Sequence, residues 1–312
     1  MTRCLVTGGA GFIGSHLSQA LVDKGWDVRI LDNLSTGKLE NMDGFRDEVE
    51  FIEGSITDLE TATSCCEGID VVFHEAALAS VPRSVDEPLI SNFHNVDGTL
   101  TMLVAARDAG VKRFVYAASS SAYGDSPELP KREDMSYDPM SPYAVNKYVG
   151  ELYLSVFDRL YGLSCVGLRY FNVFGERQDP KSQYAAVIPL FITQMLGGVA
   201  PLINGDGTFS RDFTYIQNVV HANICAAGAK SPGGRTVNVA CGDRFSLNDL
   251  FHAIQLYAGT TLVPTYGPVR AGDVPHSQAD ISLARSVLGY EPEVTFEAGL
   301  EKTVAWYKQN MG

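Results

Sequence analysis

The run Cys4-Leu-Val-Thr-Gly-Gly-Ala-Gly-Phe-Ile-Gly14 constrains this chain more than any other stretch. A short apolar strand passes through a glycine-rich turn straight into a helix. A strand that apolar needs cover on both faces, as in a parallel sheet. The next parallel strand must then be reached through a crossover helix. The chain continues in that rhythm. Strand-like runs stand at 3–7, 27–31, 49–53, 70–74, 112–118 and 164–169. Helical stretches stand at 12–24, 60–66, 87–108 and 142–161.

This βαβα order predicts an α/β fold of Rossmann type, a doubly wound parallel sheet. We read 1–171 as its dinucleotide-binding domain, with 212–240 returning to it through the strand-like Thr236-Val-Asn-Val-Ala240. Beyond residue 171 glycine and proline become frequent. Segments 172–211 and 241–312 then form a smaller C-terminal α/β domain over the substrate, with short helices at 246–257, 281–288 and 296–309.

A net charge of -13 argues against nucleic acid and against an anionic membrane surface as partners. No apolar run approaches the ~18 residues of a membrane span. Met1-Thr2-Arg3 leads directly into the first strand, which reads as no secretory signal. The six cysteines, at 4, 65, 66, 165, 225 and 241, show no metal-ligand spacing, and no metal is expected. We read them as thiols of a reducing cytoplasm.

The helix at 87–108 repeats Leu89, Phe93, Val96, Leu100 and Val104, a single apolar stripe. The helix at 142–161 carries another, Val145, Val149, Leu152 and Val156. Two readings stay open: each stripe packs on its own sheet, or the two together form a dimer interface.

Gly8, Gly11 and Gly14 give G-x-x-G-x-x-G between strand and helix. A pyrophosphate approaches a backbone only where Cβ atoms are absent, and a helix N-terminus offers it N–H donors. Asp32 ends the second strand, placed to hold both hydroxyls of an adenosine ribose. A carboxylate there repels a 2′-phosphate, so NAD is favoured over NADP. Asn33 and Gly37 extend that pocket. Asp58 is read either as a contact to the adenine amino group or as a plain helix N-cap.

Tyr143 and Lys147 lie one turn apart on a helix and share a face away from its apolar stripe. A free phenol is a poor base at neutral pH. A neighbouring ammonium, with a positive nicotinamide ring, is expected to bring it towards working pH. Ser119 closes the fifth strand, at the end where ligands of open α/β sheets bind. Together these residues suggest hydride transfer to and from an alcohol. His74, His94, Cys65, Cys66, Trp26 and Trp306 are read as structural.

The chain resembles the extended short-chain dehydrogenase/reductases of the sugar-nucleotide epimerase/dehydratase family. The likeness runs over Thr7–Gly14, Asp32-Asn-Leu-Ser-Thr-Gly37, Phe73-His-Glu-Ala-Ala77, Ser119–Gly124, Ser141-Pro-Tyr-Ala-Val-Asn-Lys147, Arg169-Tyr-Phe-Asn172 and Gly205–Asp212. It implies further NAD contacts at Phe12, Ile13, Ile56, Ala76, Ala77, Asn95 and Tyr170. Dehydratases and decarboxylases of the family carry an acid just after the catalytic Ser or Thr. Ser119-Ser-Ser-Ala-Tyr-Gly124 has none. The implied reaction is therefore C4 epimerisation of a UDP-sugar through a transient 4-keto sugar. Tyr143 acts as base, Lys147 as its partner and Ser119 as orienting hydroxyl; Ser121 either assists or serves the turn.

Within the family the resemblance is to UDP-N-acetylglucosamine 4-epimerases, through Ala79-Ser80-Val-Pro-Arg-Ser84, Gln178-Asp-Pro180 and Tyr184-Ala-Ala-Val-Ile-Pro189. It implies Asn172, Arg211, Arg270 and Asp273 as anchors of UDP, and Val187 and Leu202 as flanks of the uracil. Arg211 also reads as a surface ion pair. Ala79, Ser80 and Ala186 would line the sugar pocket, with Ser277 as a small gate that leaves space for an N-acetyl group. The remaining readings are a UDP-glucose/galactose or UDP-glucuronate 4-epimerase and, from another class, a non-catalytic NAD-sensing protein.

Overall fold

The computed structural model describes residues 1–180, 186–269 and 274–311. Seven parallel strands form the central sheet: β1 (Arg3–Thr7), β2 (Asp27–Asp32), β3 (Glu50–Glu53), β4 (Val71–His74), β5 (Arg113–Ser119), β6 (Cys165–Tyr170) and β7 (Thr236–Val239). Their order is β7-β6-β5-β4-β1-β2-β3. The chain runs outward from β1 to β3, then crosses back to β4 on the other side. The crevice between β1 and β4 is therefore a topological switch point, where such sheets bind ligands.

The strands form because their residues are apolar on both faces. Cys4 and Val6 enter one core with Val28, Ile30, Val71, Phe73, Val115, Val166 and Leu168. Leu5 points the other way, with Leu31, Val72, Phe114, Tyr116 and Cys165. The first face is covered by helices Phe12–Asp23 and Ile216–Gly228, through Leu17, Leu21, Val219 and Ala222. The second is covered by Leu59–Cys66, Gly98–Asp108 and Pro142–Tyr161, through Ala62, Met102, Leu103, Leu154 and Phe157. Each fully buried Leu or Val contributes about 1.5–3 kcal/mol. No helix among the described residues is long and apolar enough to cross a membrane.

Predicted and observed strands of the sheet agree to within a residue. The helix expected over 87–108 runs from Pro88 to Asp108 with a widened turn, Phe93–Asp97, inside it, and a separate helix Val81–Asp86 precedes it. Pro88 supplies the restart, since it needs no N–H partner at a first helical position. The apolar stripe of 87–108 divides: Leu100 and Val104 pack against the core, and its N-terminal part turns outward. Leu89 is 84% exposed and Phe93 49%, while Ser91, Asn95, Thr99 and Met102 turn inward. The stripe on Pro142–Tyr161 likewise faces outward, with Val145 and Leu152 exposed and Ala144, Lys147, Glu151 and Leu154 buried. The own-sheet reading thus holds for Leu100 and Val104 and fails for Leu89, Phe93, Val145 and Leu152, which face outward.

Three two-stranded pairings stand outside the central sheet: Val173–Phe174 with Thr214–Tyr215, Ser210–Arg211 with Phe245–Ser246, and Leu202–Asn204 with Thr265–Gly267. Helix Val187–Leu196, not foreseen from the sequence, stands among them.

Candidate active site

The glycine loop is shaped by close backbone approach. Gly8 has φ +70°, and a Cβ there would lie 2.8 Å from the Ala76 nitrogen. A Cβ on Gly14 would lie 2.1 Å from the Gly8 carbonyl oxygen. Gly11 caps helix Phe12–Asp23 with no side-chain hydrogen bond, which leaves the first-turn N–H groups for a ligand. Asp32 is fixed by the backbone: Ala10 N donates to Oδ2 at 3.0 Å and Leu34 N to Oδ1 at 2.8 Å. Burial raises its pKa, and the two donors pull it back. Gly37 stands behind the carboxylate, where a Cβ would lie 2.9 Å from both oxygens.

These residues open onto a cavity of about 750 Å³, lined by Gly8, Gly11, Phe12, Ile13, Gly14, Asp32, Asn33 and Ile56 and then by Ala76, Ala77, Ala79, Ser80 and Ala186. The Cβ-free cradle and the preset carboxylate fit a dinucleotide. Six of the expected cofactor residues, Gly37, Asp58, Asn95, Tyr143, Lys147 and Tyr170, are not among those lining the cavity. Asp58 is exposed and caps helix Leu59–Cys66, accepting from Glu60 N and Thr61 Oγ1. Asn95 braces the Leu78 backbone, donating to its oxygen at 3.2 Å and accepting from its N–H at 2.8 Å. The Tyr170 hydroxyl is engaged with Glu75 and Asn223.

Helix Pro142–Tyr161 carries Tyr143 and Lys147. It starts at Ser141, whose Oγ accepts from Ala144 N at 3.2 Å, with Pro142 next, and stops at Gly162 in the left-handed conformation. Gly150 brings it hard against β5: a Cβ there would lie 2.3 Å from the Tyr116 hydroxyl oxygen. That approach sets Lys147 Nζ 5.0 Å from the Tyr116 ring centre, donating to the Ala117 oxygen at 2.7 Å. Ser119 is close enough to the Tyr143 phenol to lower its pKa. Its Oγ accepts from Ser121, from N at 3.2 Å and from Oγ at 2.9 Å. Ser121 therefore serves the turn and touches Ser119 at once.

Burial pushes the Tyr143 phenol up to about 12, against an interaction with Ser119 that lowers it. Burial pushes Lys147 down to about 8, against the charges of Glu75 and Glu151 that raise it. Desolvation thus dominates at both groups.

A second cavity, about 320 Å³, is lined by Asn172, Ala186, Val187, Leu202 and Arg211. Ala186 belongs to both walls. Asn172, with φ 34°, donates from Nδ2 to the Asp212 oxygen at 3.0 Å and to Ser277 Oγ at 3.1 Å. Arg211 Nη1 donates to the Ser210 and Pro275 oxygens, while the Asp212 carboxylate accepts from Cys241, Gly242 and Ala279 N–H. Arg270 and Asp273 lie outside the described residues, as does Tyr184.

Several wall residues escaped the sequence reading. Lys38 and Asp179 both line the large cavity and pair at 3.0 Å. His94, expected to be structural, lines it as well. Glu75 does so from the end of β4; an acid ending an otherwise apolar strand was the available signal. His74 is structural as expected, hydrogen-bonded to Thr7 and Thr99 and pushed down to about 3 by burial.

Residues 4–240 match the model of the NAD dependent epimerase/dehydratase family. The chain belongs to that family. A putative UDP-glucose 4-epimerase of Methanocaldococcus jannaschii is 40% identical over 308 residues, 98% of either chain. Among solved structures, a UDP-glucose 4-epimerase of Thermotoga maritima with UDP-glucose is 39% identical, with TM-score 0.95 and 100% of both chains covered. A UDP-N-acetylglucosamine 4-epimerase of Methanobrevibacter ruminantium, in complex with UDP-N-acetylmuramic acid, is 42% identical, with TM-score 0.95 and 99% of both covered. The chain thus stands among the UDP-sugar 4-epimerases of this NAD-dependent family.

Proposed function

We propose that the chain interconverts UDP-N-acetylglucosamine and UDP-N-acetylgalactosamine by inversion at C4. The bound nicotinamide would accept and return one hydride. Tyr143 takes the proton of the 4-hydroxyl and gives it back, Ser119 orients the oxygen, and Lys147 supplies positive charge beside the phenol. Phe12, Ile13 and the Gly8–Gly14 loop hold the diphosphate of the cofactor, and Asp32 its ribose. Residues 120–123 form a short turn without an acid, so nothing in that turn donates a proton for elimination. Asn172 and Arg211 hold UDP together with Arg270 and Asp273, and the uracil lies between Val187 and Leu202.

The observation that carries the sugar assignment is Ser277. Its hydroxyl accepts from Asn172 Nδ2 at 3.1 Å, and Asn172 lines the second cavity. Ala79 and Ala186 are small as well. Space beside C2 suits an acetamide. The names of the M. jannaschii and T. maritima relatives favour UDP-glucose as the second reading. Turnover of both sugar pairs decides between them, and a clear preference for UDP-glucose removes the first. Ser277→Tyr is expected to lower kcat/KM for the N-acetylated pair about tenfold or more relative to the other. Equal loss on both pairs removes Ser277 as gate.

We further propose a homodimer in which the helices of 87–108 and 142–161 meet their copies. Pro142–Tyr161 runs beside Pro88–Asn92, joined by the Ser91–Asn146 hydrogen bond at 2.9 Å. Their exposed stripes, Leu89, Phe93, Val145 and Leu152, thereby form one apolar face. Sedimentation is expected to give a dimer, and Leu89→Asp with Leu152→Asp a monomer. A monomeric wild type rules this face out as a stable interface. The six free thiols suit a reducing compartment, in our reading the cytoplasm.

A further inference from the structure

We propose that Asp212 is a positioning residue of the sugar-nucleotide pocket: its buried carboxylate fastens the segment that carries Ser277, and the bend after β7, to the strand that carries Arg211. The proposal rests on the reading given above to Asn172 and Arg211 as anchors of UDP and to Ser277 as a wall of the sugar site.

Asp212 follows strand Ser210–Arg211 directly and is fully buried. It is not among the residues lining either cavity, so it acts through its neighbours. Three main-chain N–H groups from two other segments donate to its carboxylate. Cys241 N reaches Oδ1 at 3.0 Å, and Gly242 N and Ala279 N reach Oδ2 at 3.0 and 3.1 Å. Its main-chain oxygen accepts from Asn172 Nδ2 at 3.0 Å, and the same Nδ2 donates to Ser277 Oγ at 3.1 Å. Asn172, the strand of Arg211, the bend 240–242 and the segment 275–280 therefore meet around one residue.

Segment 275–280 is held on either side of Ser277. Before it, Ser210 N donates to the Pro275 oxygen at 3.0 Å, and Arg211 Nη1 donates to the same oxygen at 3.1 Å. Ser277 N itself donates to the Ser210 oxygen at 3.0 Å. After it, Gln278 Nε2 donates to the Gly242 oxygen at 2.7 Å, and Ala279 N to Asp212. Lys131 pairs with the far end, its N donating to the Gln278 oxygen and its oxygen accepting from Asp280 N. Asp212 is the member of this set that also holds Asn172, so it fixes how far Ser277 stands from the anchors of UDP.

The position requires a carboxylate. Burial pushes Asp212 up to about 7 and Asp243 adds to the rise, while the N–H groups of Ala279, Cys241 and Gly242 pull it back. A neutral side chain would be easier to bury. Two carboxylate oxygens, however, can accept from three donors at once. An asparagine offers one acceptor oxygen and turns its NH2 towards at least one of the same N–H groups.

Asp212→Asn tests this on the NAD-loaded enzyme. Calorimetry reads the binding of UDP, beside kcat and KM for a UDP-sugar that the enzyme turns over. Kd for UDP and KM are expected to rise about tenfold, the weight of one charge-assisted hydrogen bond. Change in kcat is expected to stay below about threefold, with NAD content unaltered. A purely structural Asp212 would lower the melting temperature and the folded fraction and leave Kd and KM of the folded protein in place. That result overturns the proposal, as does a fall in kcat alone. If Asp212→Asn fails to fold, Gln278→Met, which removes the adjoining tie to Gly242, decides in its stead. It is expected to raise Kd for UDP about threefold, and an unmoved Kd overturns the proposal. Arg211→Ala separates this from the reading beneath it. UDP binding that Arg211→Ala leaves intact removes Arg211 as an anchor, while Asp212→Asn still reports the positioning. Binding weakened by Arg211→Ala but not by Asp212→Asn sinks the positioning role alone.

Discussion

Tyr143→Phe is expected to lower kcat by about 10²- to 10⁴-fold, the usual worth of a positioned acid–base group. The substitution keeps the ring and removes one oxygen. That oxygen interacts with Ser119 at the carboxyl end of β5. The backbone stays anchored, because Tyr143 N donates to Ser84 Oγ at 3.0 Å independently of the phenol. Thermal unfolding and NAD content should therefore match the wild type. KM for the sugar nucleotide should change little, since Asn172 and Arg211, assigned to UDP, line the second cavity. Epimerisation followed by product separation checks the first point. Retention of full activity would remove Tyr143 as base, and with it the role drawn for Lys147.

The largest effect on stability is expected at Arg169. Its guanidinium and the Glu151 carboxylate are 2% and 5% exposed and paired at 2.5 Å. Arg169 also donates to the hydroxyls of Tyr123 and Tyr137, each at 2.8 Å. Arg169→Met leaves Glu151 charged, buried and unmatched, which costs about 3–5 kcal/mol. Replacing both partners, as Arg169→Met with Glu151→Leu, removes the stranded charge and is expected to recover much of that loss. Urea unfolding of the three proteins reads both effects. A single variant within about 0.5 kcal/mol of wild type would show that the pair contributes no more than an ordinary surface site.

The sheet was legible in the sequence because each strand is apolar on both faces and ends at a turn signal. The catalytic helix was legible because Ser141-Pro142 starts it and Gly162 stops it. So was the helix over 87–108, to within a residue, but not the helix Val81–Asp86 before it. Leu89 and Phe93 face outward while Leu100 and Val104 of the same stripe pack inward, so periodicity alone did not say which part of it is covered. Asp58 shows a different limit. Local chemistry gave it two tasks, and only the tertiary placement shows it bonded to Glu60 and Thr61. Burial of the Tyr143 phenol was not legible either: sequence spacing reveals a neighbouring cation but not how thoroughly a phenol is desolvated. Glu75 was quoted within a motif and given no task, since an acid between His74 and Ala76 gains meaning only beside Tyr170.

The contact of Gly150 with Tyr116 has a consequence for how such a site can drift. Helix and strand meet there through a single ring, Tyr116 of β5 laid on the bare main chain of Gly150, so the offset between the Tyr143–Lys147 face and the end of β5 is set by the thickness of one phenol. The tolerance is concentrated at one position: a single added methyl at residue 150 would push the Tyr143–Lys147 face away from the end of β5, although it lies outside both cavities. Site alignment in this protein is thus inherited through a missing atom rather than through the residues that do the chemistry.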